Sequence, residues 1–390
     1  MNKWVTPVMV LFFALLFVTA TSTVFQPVEA ALGDIVVPDD YPTIQAAVFA
    51  ATEGDVIYVT AGSYPENVKV YKPISLVGED IDRTRIIGNW DENSLWPITI
   101  TCSGVTVTGF SLVDSWVGVC IAGAHDCTIS GNKILNNHFG IMLRSASGNT
   151  ITANIIESAK SGACGIEATD ASNNIIKANQ ITAIPAGIEI RDTRTFPVQE
   201  ITVQNNSILD NTLTDCSGIA IGLGLTKENL LTGNTISNSN IAISCGWTEN
   251  NKIYHNNFVE NAKQVMAGPG PTWWKSNEVW YSIDKWDNGS EGNYWSSYTG
   301  VDANNDGIGD TPYTVSEKNT DNYPLMKPTS SEPAVNPNSL ISSPTSTATP
   351  LNSEPFPTGQ AIAITTSVTV AAVGLFIFFK KSAIITKGNQ

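Results

Sequence analysis

The chain has 390 residues, enough for two or three domains, and a formal net charge of −15 from 21 basic and 36 acidic residues. This acidic balance opposes binding to a phosphate backbone, so we expect no nucleic-acid partner. Charged residues make up only 15% of the chain, which favours many short strands and turns over long surface helices.

The N-terminal end carries a targeting pattern. Residues 1–30 have one positive charge at Lys3, an apolar run from Val8 to Val18 and small residues before Ala30. This order is typical of a secretory signal peptide that is cleaved after Ala30. We therefore expect the mature chain to leave the cytoplasm.

The C-terminal end has the pattern of a membrane anchor. Residues 361–379 contain no charge and are long enough to span a bilayer as a helix. Lys380 and Lys381 follow, and the positive-inside rule places the tail 380–390 in the cytoplasm. Residues 329–360 are rich in Pro, Ser and Thr, which is typical of an extended stalk. These features predict a single-pass protein of the cell membrane with an extracellular N-terminal ectodomain.

The middle of the chain is a repeat. One recurring segment reads apolar, any two residues, Asn, any residue, apolar, and its asparagines lie 22 to 28 residues apart at Asn132, Asn154, Asn179, Asn206, Asn234 and Asn256. Phe110 takes the asparagine position one period earlier. A second segment follows each first one, and we align the starts of these segments at Gly118, Gly140, Gly165, Gly187, Gly218 and Asn240.

The period and the alternation together predict the architecture. Apolar residues recur at every second position, which is the spacing of a β-strand. A period of 22 to 28 residues fits one coil of two or three short strands, stacked on the next coil at about 4.8 Å. Asparagines at equivalent corners would then hydrogen-bond along the stack. We predict an all-β, right-handed parallel β-helix over residues 31–270, a solenoid.

The open ends of a solenoid need covers. At the N-terminal end, residues 41–51 read as an amphipathic helix with Pro42 in its first turn, followed by strands near 55–59, 68–70 and 74–77. At the other end, residues 271–328 contain five of the ten tryptophans. We predict an N-terminal helix cap and an aromatic C-terminal cap.

These residues resemble a known family. Residues 40–47, 54–59 and 62–66 are similar to the start of pectin-lyase-like β-helices, and the repeats together with 292–295, 302–313 and 321–326 resemble the NosD-type (CASH-domain) β-helix family. The resemblance covers about residues 34–327. It implies a secreted or surface β-helix of carbohydrate-binding or hydrolase-like ancestry, and the family name comes from a periplasmic protein of copper-site maturation. It implies no defined activity.

Alignment of the second segments predicts an outward column of side chains, namely Cys120, Met142, Glu167, Glu189, Ala220 and Ala242. Glu167 and Glu189 would stack about 5 Å apart on adjacent coils. Asp170 and Asp192 form a second stacked pair, beside a column that holds Arg144 and Arg191. Two carboxyl groups at this range suit a solvated acidic face, a cation site or the pair of a retaining glycosidase. These four acidic residues are the catalytic candidates.

A loop near the C-terminal end has oxygen ligands at alternating positions. Asp302, Asn304, Asp306 and Asp310 surround Gly307, the sixth residue, as in a calcium loop. The twelfth position is Tyr313, so the usual bidentate glutamate is missing. Calcium that stabilises the C-terminal cap and a metal-free, Asx-rich turn both fit the pattern.

Three classes of function remain. We expect a membrane-anchored surface β-helix that binds a polysaccharide or envelope glycan, adheres, or has a structural role. The alternative is an extracellular polysaccharide lyase or glycoside hydrolase. A second alternative is a NosD-like copper accessory protein, for which Cys120 with Met142 is the one soft-ligand pair. The six cysteines allow disulfides outside the cytoplasm, with pairing open.

Overall fold

A computed structural model describes residues 35–88, 96–193, 201–268 and 282–330. The predicted signal peptide, transmembrane segment and cytoplasmic tail lie outside these residues, as does the predicted stalk beyond residue 330. Within the described ranges, no helix is both long enough and apolar enough to span a bilayer. All of the described residues belong to one compact unit.

The described residues form one short helix and 34 strands. In the first part of the chain these are β1 (Ile35–Val37), α1 (Ile44–Ala50), β2 (Val56–Val59), β3 (Gly62–Tyr64), β4 (Val68–Val70), β5 (Ser75–Gly78), β6 (Thr84–Ile87), β7 (Ile98–Ile100), β8 (Thr106–Thr108), β9 (Ser111–Val113), β10 (Val117–Ala122), β11 (Thr128–Ser130), β12 (Lys133–Leu135), β13 (Phe139–Arg144), β14 (Thr150–Thr152), β15 (Ile155–Glu157) and β16 (Cys164–Thr169). The remainder are β17 (Ile175–Lys177), β18 (Gln180–Thr182), β19 (Ala186–Arg191), β20 (Val203–Gln204), β21 (Ser207–Leu209), β22 (Thr212–Thr214), β23 (Ile219–Gly224), β24 (Thr226–Lys227), β25 (Leu230–Thr232), β26 (Thr235–Ser237), β27 (Ile241–Gly246), β28 (Glu249–Tyr254), β29 (Asn257–Val259), β30 (Lys263–Gly268), β31 (Ile283–Lys285), β32 (Tyr294–Trp295), β33 (Tyr313–Ser316) and β34 (Asn319–Asp321).

Three parallel sheets wrap around one lumen as a right-handed solenoid of about ten coils. Each full coil gives one strand to each sheet: β11 lies in sheet A, β12 in sheet B and β13 in sheet C, and the next coil repeats this order with β14, β15 and β16. The predicted β-helix is confirmed. Parallel pairing also continues past residue 270, because β31 pairs with β28 and β32 with β29.

Apolar columns fill the lumen. In sheet A, fully buried aliphatic residues stack coil upon coil at Ile129, Ile151, Ile176, Ile208, Leu231 and Ile253. Burial of each such side chain contributes about 1.5–3 kcal/mol, so the columns are the main source of stability. The period-two alternation in the sequence follows from this arrangement, since every second side chain must enter the lumen.

The N-terminal helix is shorter than predicted. α1 begins at Ile44 because Thr43 is the N-cap and its hydroxyl accepts from the Ala46 amide, so Pro42 precedes the helix. Glu66 accepts from the Ile44 and Gln45 amides at 2.9 and 3.0 Å and holds the first turn on the solenoid. The buried face of α1 packs with the lumen core.

Two asparagine ladders run along the corners on either side of sheet A. In the ladder of Asn132, Asn154 and Asn179, each amide oxygen accepts from the backbone and side-chain nitrogens of the preceding asparagine at 3.0–3.1 Å. Phe110 does occupy the first position, where its amide donates to Asn132. The second ladder comprises Asn149, Asn174, Asn206, Asn229 and Asn251.

One predicted ladder position is wrong. Asn179 donates to Asn211, whereas Asn206 belongs to the second ladder through Asn174. The two corner asparagines of a coil lie five residues apart, and both match the same short pattern. The coil between Asn179 and Asn211 is also longer than its neighbours, at 32 residues. A search at spacings of 22 to 28 residues therefore finds Asn206, at the other corner of that coil, instead of Asn211.

The ladders end on buried acceptors in the C-terminal segment. Asn251, the last residue of the second ladder, donates to Asp284 at 2.8 Å. The first ladder continues from Asn211 through Asn234 and Asn256 to Asn293, whose backbone amide donates to Asp321 at 2.8 Å. Burial raises the pKa of both carboxyl groups, although the donated hydrogen bonds act in the opposite direction. In each ladder, an asparagine oxygen accepts from the preceding coil and an asparagine nitrogen donates to the next coil. The nitrogens of the last asparagine therefore need an oxygen from a residue outside the repeats, and Asp284 and Asp321 supply it.

Aromatic rings stack in the same segment. Trp295 lies between Phe258 and Tyr313, with ring centroids 4.3 and 4.4 Å away. Thr329 then returns to β29: its amide donates to Asn257 Oδ1 at 2.8 Å, and Asn257 Nδ2 donates to the Thr329 carbonyl at 3.0 Å. The chain beyond Trp295 is thereby attached to the ninth coil.

Candidate functional site on the outer face of sheet C

The predicted glutamate pair lies on the outer face of sheet C. Glu167 in β16 and Glu189 in β19 are direct partners in the parallel register, so the two side chains leave adjacent coils at equivalent positions. Arg191, two residues after Glu189, donates from Nη2 to Glu167 Oε1. Glu167 is almost fully buried, while the Arg191 side chain is half-exposed. Glu167 is therefore the ion-paired carboxylate of the two, and Glu189 lies beside it on the next coil.

The two carboxyl groups have different environments. Burial raises the pKa of Glu189; Arg191 lowers it and Glu167 raises it again. Glu189 therefore holds a proton more readily than an exposed glutamate, while Glu167 has the guanidinium as its partner. A carboxyl group with a raised pKa beside an ion-paired carboxylate can act with it as acid and base, or can donate and accept hydrogen bonds to the same ligand.

The predicted aspartate pair has structural contacts instead. Asp170 and Asp192 lie at adjacent coil corners beyond the strand ends, since the Asp170 amide donates to the Arg191 carbonyl. Asp170 accepts from the Thr193 amide at 2.8 Å, and Asp192 is buried with Thr202 Oγ1 at 3.4 Å. Their contacts hold the corners of the solenoid.

The predicted column is correct up to Glu189 and wrong beyond it. The register continues from Glu189 to Gly222 and Ser244, so these residues, and not Ala220 and Ala242, follow the glutamates. Ala220 faces Gly187 in the stack, and Gly218 lies in a turn where its amide donates to Pro185. Alignment on glycine therefore slipped by two residues. Among the described residues, glycine and serine occupy the positions that follow Glu189 on this face.

Sequence reasoning missed an aromatic group next to the glutamates. Trp116 and His138 occupy equivalent positions just before β10 and β13, and their rings stack with centroids 4.2 Å apart. Phe139 packs edge-on against His138 at 4.8 Å. Burial lowers the pKa of His138, and Glu167 opposes this shift by its charge, which places the imidazole within electrostatic reach of the carboxylate. The shared position of Trp116 and His138, one coil apart, was the available sequence signal.

An apolar cluster continues the face towards the N-terminal end. Val117, Cys120 and Met142 are buried beneath Trp96, Trp116, Ala122 and Phe139. The Arg144 guanidinium lies 5.7 Å from the Trp96 ring centroid, and its Nε contacts Met142 Sδ at 2.8 Å. Burial raises the pKa of Cys120 to about 11, with Arg144 acting in the opposite direction. A protonated thiol and a sulfur beside a fixed cation are poor ligands for copper.

The predicted calcium loop forms a compact turn. Asp302 accepts from the amides of Asp306 at 3.1 Å and Gly307 at 2.9 Å, and Asp306 accepts from Ile308 at 2.8 Å. Asp310 accepts from Ala303 at 2.8 Å, and Asn304 Nδ2 donates to Asp306. The four residues do come together. Across the described ranges, no three His, Cys, Asp or Glu residues are arranged to hold a metal ion.

Comparisons with known proteins agree with this fold. A family described as right handed beta helix region matches residues 57–208, and a family described as periplasmic copper-binding protein (NosD) matches residues 193–300. Over these residues the chain is similar to NosD-type right-handed β-helix proteins.

Two curated proteins are similar to part of the chain. A probable ABC transporter binding protein NosD of Pseudomonas aeruginosa is 31% identical over 112 residues, and its counterpart in Stutzerimonas stutzeri is 29% identical over 131 residues. The matches span 28% and 32% of this chain but only 24% and 27% of the relatives. The chain therefore corresponds to about a quarter of their length.

Several solved structures are similar to this chain in the path of the main chain. The catalytic domain of a GH87 alpha-1,3-glucanase in complex with nigerose has a TM-score of 0.48 at 14% identity, with 67% of this chain and 52% of that chain covered. An alginate lyase from Paenibacillus has 0.38 at 15% identity, covering 55% and 83%. A pectin methylesterase from carrot has 0.40 at 16% identity, covering 57% and 84%.

Proposed function

We propose that the outer face of sheet C, from Trp116 to Arg191, binds a polysaccharide chain. One juxtaposition carries the proposal: the Trp116–His138 stack lies along the same face as the Glu167–Arg191 ion pair and Glu189. Aromatic rings offer an apolar surface to the C–H face of a sugar ring, while the Glu189 carboxyl group and the half-exposed Arg191 guanidinium can hydrogen-bond to its hydroxyls.

The dimensions of this face suit an extended ligand. The strands β10, β13, β16 and β19 follow one another in sheet C, so the face spans three coil steps, or roughly 14 Å. Beyond Glu189 the surface is formed by Gly222, Gly224 and Ser244, which leave room for a chain to continue along the sheet.

Glycan-array screening of the purified protein tests the proposal. We expect binding to at least one glycan class, and Trp116→Ala should weaken it by about tenfold or more, since aromatic anchors dominate such contacts. Ile175→Ala is the matched control, because Ile175 is an exposed apolar residue of sheet A. Array-wide absence of binding, or equal affinity of the wild type and Trp116→Ala, would refute the proposal.

Catalysis on a bound glycan is the second candidate. The raised pKa of Glu189 beside the ion-paired Glu167 favours it, because glycosidases need one protonated and one ionised carboxyl group. A product assay on any glycan retained by the array separates the two roles. An enzyme would lose turnover in Glu189→Gln and keep binding, whereas a binding protein would release no product at all.

We further propose that the chain is exported and anchored by residues 361–379, with α1 and residues 282–330 covering the two ends of the lumen. The buried face of α1 and the stacked rings around Trp295 support the covering role. Calcium at Asp302, Asn304, Asp306 and Asp310 is part of the same proposal, since four oxygen-bearing side chains converge there.

A further inference from the structure

Two cysteines meet at a coil corner that has no part in the proposed glycan site. Cys102 follows β7, and Cys127 immediately precedes β11 in the next coil. Cys127 is buried in the lumen core, and Cys102 packs against that core while remaining partly exposed. The Cys127 Sγ lies 3.5 Å from the Cys102 carbonyl oxygen.

This contact places the two cysteines side by side. A carbonyl oxygen lies about 2.4 Å from its own Cα, so Cys127 Sγ lies within about 6 Å of the Cys102 Cα. A disulfide needs Cα atoms that are usually 4.4–6.8 Å apart, and the closeness of the Cys127 sulfur to the Cys102 main chain makes this pair the candidate for one. The closeness of the two thiols also affects the acidity of Cys102. Burial raises the pKa of the Cys102 thiol, and the nearby Cys127 raises it further.

The backbone around the pair is already held together. The Gly104 amide donates to the His125 carbonyl at 3.1 Å, and the His125 amide donates to Ser103 Oγ at 3.0 Å. Thr128 donates to Val105 at 2.8 Å on the other side of Cys127. Closure of a bond between the sulfurs therefore adds little movement of the main chain. Among the six cysteines, all within described residues, this pair has a sulfur of one in contact with the backbone of the other.

We infer that Cys102 and Cys127 form a disulfide that joins two adjacent coils of the solenoid. The oxidant is a disulfide of a small thiol or of a thiol–disulfide oxidoreductase. The Cys102 thiolate, which is the more exposed, attacks one oxidant sulfur and forms a mixed disulfide, releasing the first thiol. The Cys127 thiolate then attacks the Cys102 sulfur and releases the second thiol. The two cysteines lose two protons and two electrons, and the oxidant gains both.

The formation of this bond in cells rests on the proposed export of the chain, but its chemistry is independent of glycan binding. The purified full-length protein, first fully reduced, is incubated with oxidised glutathione, and its thiols are titrated after denaturation. We expect the count to fall from six to four, and proteolytic peptides containing Cys102 and Cys127 to be joined until a reductant is added. Both readouts use the wild-type chain, so no variant has to fold.

Two substitutions sharpen the result. Cys127→Ser should form no internal disulfide and should instead carry glutathione on Cys102. Cys216→Ser, a matched change at another buried corner, should lose one thiol and still form the Cys102–Cys127 link. Six titratable thiols after oxidation, or a disulfide that maps to another pair, would overturn the assignment. A correct link in a protein that binds no glycan would leave this inference standing and remove the proposed function.

Discussion

Replacement of Asn179 by leucine tests the ladder at its centre. The Asn179 side chain is fully buried, and its Nδ2 donates to the Ile151 carbonyl at 2.9 Å and to Asn211 Oδ1 at 3.0 Å. Its Oδ1 accepts from the backbone and side-chain nitrogens of Asn154, each at 3.0 Å. Leucine has a similar size but can make none of these hydrogen bonds.

The magnitude follows from the group left without a partner. The Asn154 backbone amide becomes buried and unpaired, whereas the Ile151 carbonyl stays in the β14–β17 pairing and Asn211 Oδ1 keeps the Asn179 backbone amide. An unpaired buried group costs about 1–3 kcal/mol, so the free energy of unfolding should fall by roughly 1–3 kcal/mol. This loss is large against the 5–15 kcal/mol that is typical of a whole domain.

Urea unfolding followed by circular dichroism measures the loss, with Lys177→Leu as the control. Lys177 lies two residues earlier on the same corner, is exposed, and makes one ion pair with Asp210 at 3.6 Å. That substitution should change the free energy of unfolding by less than about 1 kcal/mol. If Asn179→Leu unfolds at the same urea concentration as the wild type, the side chain lies in solvent and the ladder is not as described.

Three further predictions concern charge, metal and topology. Burial raises the folded-state pKa of Glu189, so its contribution to stability is present below the unfolded value near 4.5 and is lost as pH rises through the folded pKa. In urea unfolding, Glu189→Gln should therefore gain stability relative to the wild type as the pH is raised from 4 to 8. A difference in unfolding free energy between the two proteins that stays the same over this range would contradict the prediction. Calcium in hundredfold excess over its dissociation constant should stabilise the protein by about 2.7 kcal/mol. Thermal melting with calcium and with chelator should show that shift in the parent and lose it in Asp306→Ala, and identical curves would remove the metal. Protease added to intact cells should release an ectodomain fragment, whereas complete protection would exclude the predicted membrane topology.

The sequence predicts the solenoid because each coil must satisfy the same packing and hydrogen-bonding requirements as the coil before it. Alternation at period two and a corner asparagine in each coil follow directly from an apolar lumen and stacked amides, so local patterns suffice. The pairing of Glu167 with Glu189 was predictable for the same reason, since no insertion separates their coils beyond the usual length.

Register errors arose where the pattern was ambiguous. Asn206 and Asn211 both satisfy the corner motif, and Ala220 fills a place that glycine holds in earlier coils, so neither alignment could be resolved without the hydrogen bonds. The aromatic stack and the Cys102–Cys127 contact depend on the direction of side chains at corners. Trp116 and His138 share a position one coil apart, but which way their rings and the two cysteine side chains point cannot be derived from that spacing.

The attachment of Thr329 to Asn257 determines how tension would enter the fold. A pull on the chain beyond residue 330 reaches the solenoid at this contact, where four hydrogen bonds join Thr329 to Asn257 of β29 and to the His255 carbonyl. The load therefore bypasses the β33–β34 hairpin and the last coil, which would otherwise peel away one strand at a time. β29 is paired on both sides, with β26 and with β32, so the strand that takes the load is held by two neighbours. A protein with its only tether at this end would resist being unravelled from its weakest coil.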